Sequence, residues 1–184
     1  DSWSEGARAA MDKEVAQEGR NRGKEIAAQS DFITVNIETA QGDISLLQQA
    51  MSAANDAAIE VSGDANSMGP GKMFISHGSS SISLICFVPK EHHSKATAND
   101  WMKEVLSKVG GTLGNCDETR AEGSLSKADS KDGFLLPDGT KLDKAEAVGF
   151  EATKVSVEWL RKRQLFPAKE EEEDDWVASE DVEW

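Results

Sequence analysis

The feature that most constrains this chain is a largely apolar run, Ile82–Val88, with the sequence ISLICFV. Its seven residues suit a buried strand and are far fewer than the roughly 20 that a helix needs to span a bilayer. The segment Lys72–Ser76 precedes it, and His77-Gly78-Ser79 supplies a turn, so we predict a hairpin whose second strand is Ser81–Val88. Pro89 ends that strand because proline has no N–H to donate.

Periodicity and turn signals predict the elements on either side of this hairpin. Alternating apolar and polar residues predict a strand at Phe32–Glu38, and the AIEV sequence predicts another at Ala58–Val61. Helical periodicity predicts three helices, at Ile44–Ala57, Asn99–Val109 and Asp143–Arg163. Asp43 can cap the first, Thr97 or Asn99 can cap the second, and Gly110-Gly111 ends the second. The segment Thr112–Gly123 is predicted to be a loop with room for a short strand.

The N-terminal segment 3–29 is also predicted to be a helix. Apolar side chains recur at helical spacing along it, at Trp3, Ala7, Met11, Val15 and Ile26. Gly19 and Gly23, four residues apart, have two interpretations. They loosen the helix end, since glycine is a poor helix former, or they let another backbone approach closely. The first interpretation is the one we favour from sequence.

Together these elements predict an α+β (α/β layered) fold. We expect a small mixed or antiparallel sheet with helices packed on one face, preceded by a long N-terminal helix. The predicted organisation has an N-terminal helix at 1–29, a globular domain at 30–166 and an acidic tail at 167–184. Within the globular domain, 126–140 is predicted to be an inserted loop with a Pro-Asp-Gly turn.

Charge is unevenly distributed along the chain. The net charge of −14 includes −8 from residues 167–184, where nine acidic residues accompany one lysine. The remainder carries only −6, so a local basic surface is compatible with the composition. The tail is either a solvated appendage or a docking segment with tryptophan anchors. Its candidate partner-binding residues are Trp176, Trp184, Glu172, Asp174 and Asp175.

A docked tail needs a basic surface to oppose its charge. Intramolecular candidates are the Arg161-Lys162-Arg163 end of the last predicted helix and the segment Lys90–Lys108. An external basic protein is the alternative.

Sequence patterns for catalysis and metal binding are weak. His92-His93 lacks the spacing of a helical metal site and is interpreted as two exposed polar residues. The serines at 79–81 lack the context of a nucleophile elbow and are interpreted as a turn. Cys86 is predicted to be a core residue, and its separation from Cys116 suits neither a zinc site nor a disulfide framework. We therefore predict no catalytic residue, metal or cofactor, no membrane association, and a cytoplasmic location, or an organelle if a targeting segment was removed before Asp1.

Several landmarks in the segment Lys24–Leu165 resemble the C-terminal domain of alanyl-tRNA synthetases. The strongest are Val88-Pro89-Lys90, Trp101 and Gly110-Gly111 in the stretch SISLICFVPKEHHSKATANDWMKEVLSKVGGTLGN. The family loop is typically Gly-Gly-Lys-Gly-Gly-Gly, whereas this chain has Gly110-Gly111-Thr112-Leu113-Gly114 and so lacks the lysine and two glycines.

The resemblance implies a non-catalytic accessory domain that binds tRNA, dimerises, or does both. The candidate RNA-binding residues are Lys90, Lys95, Lys103, Lys108, Gly110, Gly111, Gly114 and Arg120. The alternative function is a structural or assembly protein that self-associates or docks a basic partner through its acidic tail.

Overall fold

The computed structural model describes residues 5–28, 31–64, 69–126 and 133–167. The helices in these ranges are α1 (Glu5–Ala27), α2 (Ile44–Ser62), α3 (Ala98–Val109) and α4 (Ala145–Lys162). The strands are β1 (Ile33–Asn36), β2 (Lys72–His77), β3 (Ser81–Phe87), β4 (Thr112–Cys116), β5 (Arg120–Ser126), β6 (Phe134–Leu135) and β7 (Lys141–Leu142). Short 3₁₀ helices occupy Glu38–Ala40 and Lys90–His92.

The main sheet has the strand order β1-β2-β3-β5-β4, with β1 parallel to β2 and the other pairs antiparallel. This arrangement confirms the α+β class and the predicted hairpin, in which Lys72 lies opposite Phe87 and His77 opposite Ile82. Helices cover both faces of the sheet, with α1 and α2 on one side and α3 and α4 on the other. The expectation of helices on one face was therefore wrong, because β2 and β3 are apolar on both sides and must be covered twice.

Helix α2 corrects the predicted strand at Ala58–Val61. These residues belong to the helix, which continues to Ser62 and ends at Gly63 with a left-handed φ of 73°. Ala57 and Ala58 are buried helix formers, so the helix gains both propensity and packing by continuing. At the other end, the Asp43 carboxylate accepts hydrogen bonds from the N–H groups of Ser45 and Leu46, which confirms the predicted cap.

Helix α1 lies closely against α2 through its two buried glycines. A Cβ at Gly19 would be 2.8 Å from Ala50 Cα, and one at Gly23 would be 2.6 Å from Ala54 Cα. No real side chain tolerates such separations, so both positions require glycine. The favoured interpretation of a loosened helix end was wrong, and the close backbone approach is what these residues provide.

The second helical layer packs α3 and α4 side by side over the sheet. The rings of Trp101 and Trp159 are stacked at 6.2 Å, and Trp101 Nε1 donates to Ser156 Oγ at 2.8 Å. Thr97 caps α3 and Gly110 ends it with φ 87°, as predicted. Cys86 is buried in this core and Cys116 is exposed on β4, and both thiols are free.

The segment Thr112–Gly123, predicted as a loop with room for a short strand, holds two strands, β4 and the first part of β5. Backbone pairing of β5 with β3, and of β4 with β5, decides this, since polar and glycine-rich residues can still complete a ladder. Part of the predicted insertion, 127–132, lies outside the described residues. Residues 134–142 form the small β6–β7 hairpin, which places Phe134 and Leu136 in the α3–α4 core.

Candidate nucleic-acid interface

Two basic segments that are distant in sequence meet at one end of the sheet. The first begins after β3, where Pro89 leads into the 3₁₀ helix Lys90–His92. The second is the C-terminal end of α4, which reaches the start of β1. Both segments contact Phe32, whose N–H donates to the Leu165 carbonyl at 2.9 Å and whose ring meets the His92 ring edge-on at 5.1 Å.

A shallow cavity of about 250 Å³ marks the junction of the two segments. Its lining includes His92, Ser94 and Lys95 from the first segment and Gln164 and Leu165 from the second. The five cations that these two segments carry are defined here as the basic end: Lys90, Lys95, Arg161, Lys162 and Arg163.

The cations of the basic end are available to a ligand. Lys90, Lys95, Lys162 and Arg163 are exposed, and Arg161 is partly exposed. None of the ion pairs found within the described part of the chain involves any of the five. Exposed cations without a protein carboxylate can neutralise a ligand anion without first giving up an internal partner.

Aromatic rings hold the arginines of this surface. The Arg163 guanidinium lies 3.8 Å from the centroid of the Trp159 ring, and that of Arg161 lies 5.2 Å from the Phe166 ring. Arg161 Nε also donates to the Pro167 carbonyl at 3.0 Å. Stacking of this kind restricts the side chains and leaves guanidinium N–H groups to donate to another acceptor.

The two histidines have structural roles in this segment. His93 Nε2 is 3.0 Å from the Val88 carbonyl, and the His92 carbonyl accepts from Lys95 and Ala96 N–H at 3.0 Å. Both side chains are half-buried, so the interpretation as exposed polar residues was incomplete. These contacts fix the backbone from which Lys90 and Lys95 project.

Acidic residues border the basic end without neutralising it. Asp31 and Glu91 line the cavity, and Asp117 lies in the turn between β4 and β5 at the same end of the sheet. The backbone N–H groups of Arg120 and Thr119 donate to the Asp117 carboxylate at 2.9 and 2.7 Å and lower its pKa. That carboxylate therefore has partners of its own.

The remaining lysines that we singled out lie on α3. Lys103 and Lys108 are exposed on its outer side. Lys108 lines a groove of about 570 Å³ between α3 and α4, together with Lys154 and Lys162. Four carboxylates alternate with these lysines around the groove: Glu104, Asp138, Glu151 and Glu158. The groove is thus mixed in charge, unlike the basic end that it adjoins at Lys162.

The glycines and Arg120 do not join the basic end, and Arg120 lies opposite Phe87 on the sheet face that α1 and α2 cover. Gly110 and Gly111 lie at the end of α3 and the start of β4, at the opposite end of the sheet from Lys90. Gly114 lines a separate cleft of about 500 Å³ beside the start of α2. Near that cleft, Arg120 Nε is 3.9 Å from the Glu122 carboxylate, which also accepts from Gln48 at 2.8 Å. The eight residues therefore do not form one continuous surface.

Sequence reasoning did not predict that a second basic segment lies beside the segment of Lys90 and Lys95. Arg161, Lys162 and Arg163 were considered only as a contact for the tail, because more than 60 residues separate them from Lys95. Only the position of β1, between the end of α4 and the 3₁₀ helix, brings the two segments together. The tail residues Trp176, Trp184, Glu172, Asp174 and Asp175 lie outside the described residues.

Within the described ranges, no group of three or more His, Cys, Asp or Glu side chains is arranged to hold a metal ion. The helices in those ranges are too short or too polar to span a bilayer.

Comparison with known proteins gives a weak structural resemblance and no family. The chain is an α+β domain with a five-stranded mixed sheet between two helical layers. No protein-family profile matches it, and no curated protein is detectably similar in sequence. A solved structure, the C-Ala domain of alanyl-tRNA synthetase from Aquifex aeolicus, aligns at 19% identity with a TM-score of 0.30. The alignment covers 46% of this chain and 63% of that one, so the resemblance is weak.

Proposed function

We propose that this chain is a non-catalytic accessory domain that binds structured RNA through its basic end. The observation that carries the proposal is that the segment of Lys90 and Lys95 meets the C-terminal end of α4, which carries the Arg161–Arg163 run, in an otherwise acidic protein. The sequence resemblance of Lys24–Leu165 to alanyl-tRNA synthetase C-terminal domains makes tRNA the RNA to test first.

The chemistry of the surface suits a polyphosphate backbone. Guanidinium groups donate to two phosphate oxygens at once, and ammonium groups act as point charges beside them. Each neutralised phosphate releases counterions, so binding energy comes from charge without any base-specific contact. Arg163 stacked on Trp159 also presents a planar surface against which an unpaired base of an RNA loop can stack.

Fluorescence anisotropy with total tRNA, at about 50 to 200 mM salt, tests the proposal. We expect affinity to fall steeply with salt, and the paired substitutions Lys95→Ala and Arg163→Ala to reduce the slope of log K against log salt by about 1.4 to 1.8. The control is the double variant Lys13→Ala with Lys24→Ala, which removes two exposed lysines on α1. It removes the same charge at another place and should leave most of the salt dependence of tRNA binding unchanged. Absence of binding at the lowest salt would contradict the proposal, as would equal losses in both double variants.

A second candidate function is self-association, which a different observation favours. β4 is an edge strand of the main sheet, and Thr112, Gly114, Asn115 and Cys116 are exposed on it. The strand carries no charged side chain to discourage pairing with another chain. A second copy could therefore extend the sheet by antiparallel pairing of the two β4 strands.

A further inference from the structure

We infer that the acidic segment 168–184 docks on the basic end of its own chain and competes there with RNA. The part of this inference that concerns competition rests on the proposed function. The contact between the segment and the basic end stands on its own observations.

The first observation is where the segment begins. The described chain ends at Pro167, and the Pro167 carbonyl accepts a hydrogen bond from Arg161 Nε at 3.0 Å. Arg161 is one of the five cations of the basic end. The segment therefore starts on the surface that we propose it covers.

The second observation is the order of charge along the segment. Residues 170–175 are six consecutive acids, EEEEDD, and the first is three positions beyond Pro167. Even a fully extended chain of that length spans only about 10 Å, and one reaching Asp175 spans about 27 Å. Such a short tether holds the acids at an effective concentration in the millimolar range around the basic end.

The third observation is the charge of the receiving surface. The five cations have no ion-pair partner within the described residues, so acids from the segment would not displace an existing carboxylate. The acidic body elsewhere repels the segment and leaves this end as the favourable place for it.

The groove between α3 and α4 offers a place for the tryptophan that follows the acids. Lys162 belongs both to the basic end and to the groove lining, so the two surfaces are continuous. Leu136, Pro137 and Val155 contribute apolar lining, with Trp159 beside them. Trp176 is nine residues beyond Pro167, a reach of about 30 Å, whereas Glu151 to Lys162 on α4 spans about 17 Å. The groove is therefore within reach of Trp176 and is the docking place that the inference gives it.

Zero-length carbodiimide crosslinking of the full chain, without RNA, tests the contact. We expect mass spectrometry to find amide links from residues 170–175 to Lys90, Lys95 or Lys162, with few to Lys13 or Lys24 on α1. Mixing labelled and unlabelled chains distinguishes links within one chain from links between two. Links that are absent, evenly distributed over the lysines or mainly between chains would each overturn the inference.

Competition is tested with total tRNA as the probe. The full chain is compared with a variant in which Glu170–Glu173 become Gln and Asp174 and Asp175 become Asn. A tail that covers the surface nine-tenths of the time lowers affinity about tenfold, so the neutral variant should bind about tenfold more tightly at low salt. The difference should shrink as salt rises. Trp176→Ala should also tighten tRNA binding, whereas Trp184→Ala is the matched control with a smaller effect.

The two experiments separate the failure of each idea. Crosslinks without tRNA binding by either the native or the neutral-tail chain support the docked tail and reject the RNA function. Binding of tRNA with equal affinity by both chains, together with no crosslinks, supports the RNA function and rejects the docked tail.

Discussion

At the scale of single residues, Lys72 is the least expected feature of the structure. It begins β2 with its side chain fully buried on the sheet face that α1 and α2 cover. Its Nζ lies 3.5 Å from the Pro70 carbonyl and 5.0 Å from the centroid of the Phe87 ring. Burial lowers the pKa of this amine to about 7, because the charged form loses its hydration.

This shift predicts a pH-dependent contribution to stability. In the unfolded chain a lysine keeps its proton to about pH 10.4, whereas in the folded chain Lys72 releases it near pH 7. Above pH 7 the unfolded state binds more protons, so stability should rise with pH, by up to about 1.4 kcal/mol per unit. Urea unfolding from pH 6 to 8.5 should show this rise, and Lys72→Met should lack it and be more stable than the native chain at pH 6. A difference between the two proteins that is constant with pH would contradict this account.

At the scale of elements, the pairing of α1 with α2 is the most demanding contact. Gly19 and Gly23 face the backbone at Ala50 and Ala54, so the two helices approach more closely than side chains would allow. Arg20 adds an ion pair to Glu60 at 2.8 Å on the exposed side. Surface ion pairs contribute little to the free energy of unfolding, so we attribute the specificity of this helix contact to the two glycines.

Substituting Gly23 by alanine should therefore separate packing from helix propensity. The added Cβ collides with backbone that cannot yield easily, and we expect Gly23→Ala to lower the free energy of unfolding by about 1 to 3 kcal/mol. The control is Gly6→Ala in the same helix, where no atom lies within 4 Å of the new Cβ. Gly6→Ala should be neutral or stabilising by up to about 1 kcal/mol. If chemical denaturation shows that both substitutions change the free energy of unfolding equally, close backbone approach is not the role of Gly23.

At the scale of the whole molecule, the sheet brings distant segments together and leaves one edge open. Its order places β1 beside β2, which positions the end of α4 against the 3₁₀ helix after β3 and creates the basic end. The same order leaves β4 at the opposite edge. The molecule therefore has a charged end suited to a polyanion and an uncharged edge suited to another strand.

The open edge predicts concentration-dependent dimers. Light scattering of the reduced chain over a range of concentrations should show an increase in mass, because pairing of two β4 strands satisfies backbone groups that now face solvent. The double variant Thr112→Lys with Asn115→Lys should favour the monomer, because it places like charges on both paired β4 strands. The control is Ser79→Lys with Ser80→Lys in an exposed turn, which should leave the dimer unchanged. A native chain that is monomeric at every concentration would exclude this association.

What the sequence determined by itself is the part governed by local chemistry. The apolar run at Ile82–Val88 predicted its strand, Asp43 and Thr97 predicted helix starts, and Gly110 predicted a helix end. These signals act over a few residues, through hydrogen bonds and backbone angles that the neighbouring sequence supplies. The α+β class followed from their order along the chain.

Only the tertiary structure decided the contacts between distant segments. Whether Ala58–Val61 forms a strand or a helix depended on packing in α2. Gly19 and Gly23 allow close backbone approach only because α2 lies against them. The segments that carry Lys95 and Arg163 meet through the position of β1, and Lys72 is buried because two helices cover its face of the sheet. Burial and proximity depend on which elements pack together, and a local pattern of residues does not specify that partner.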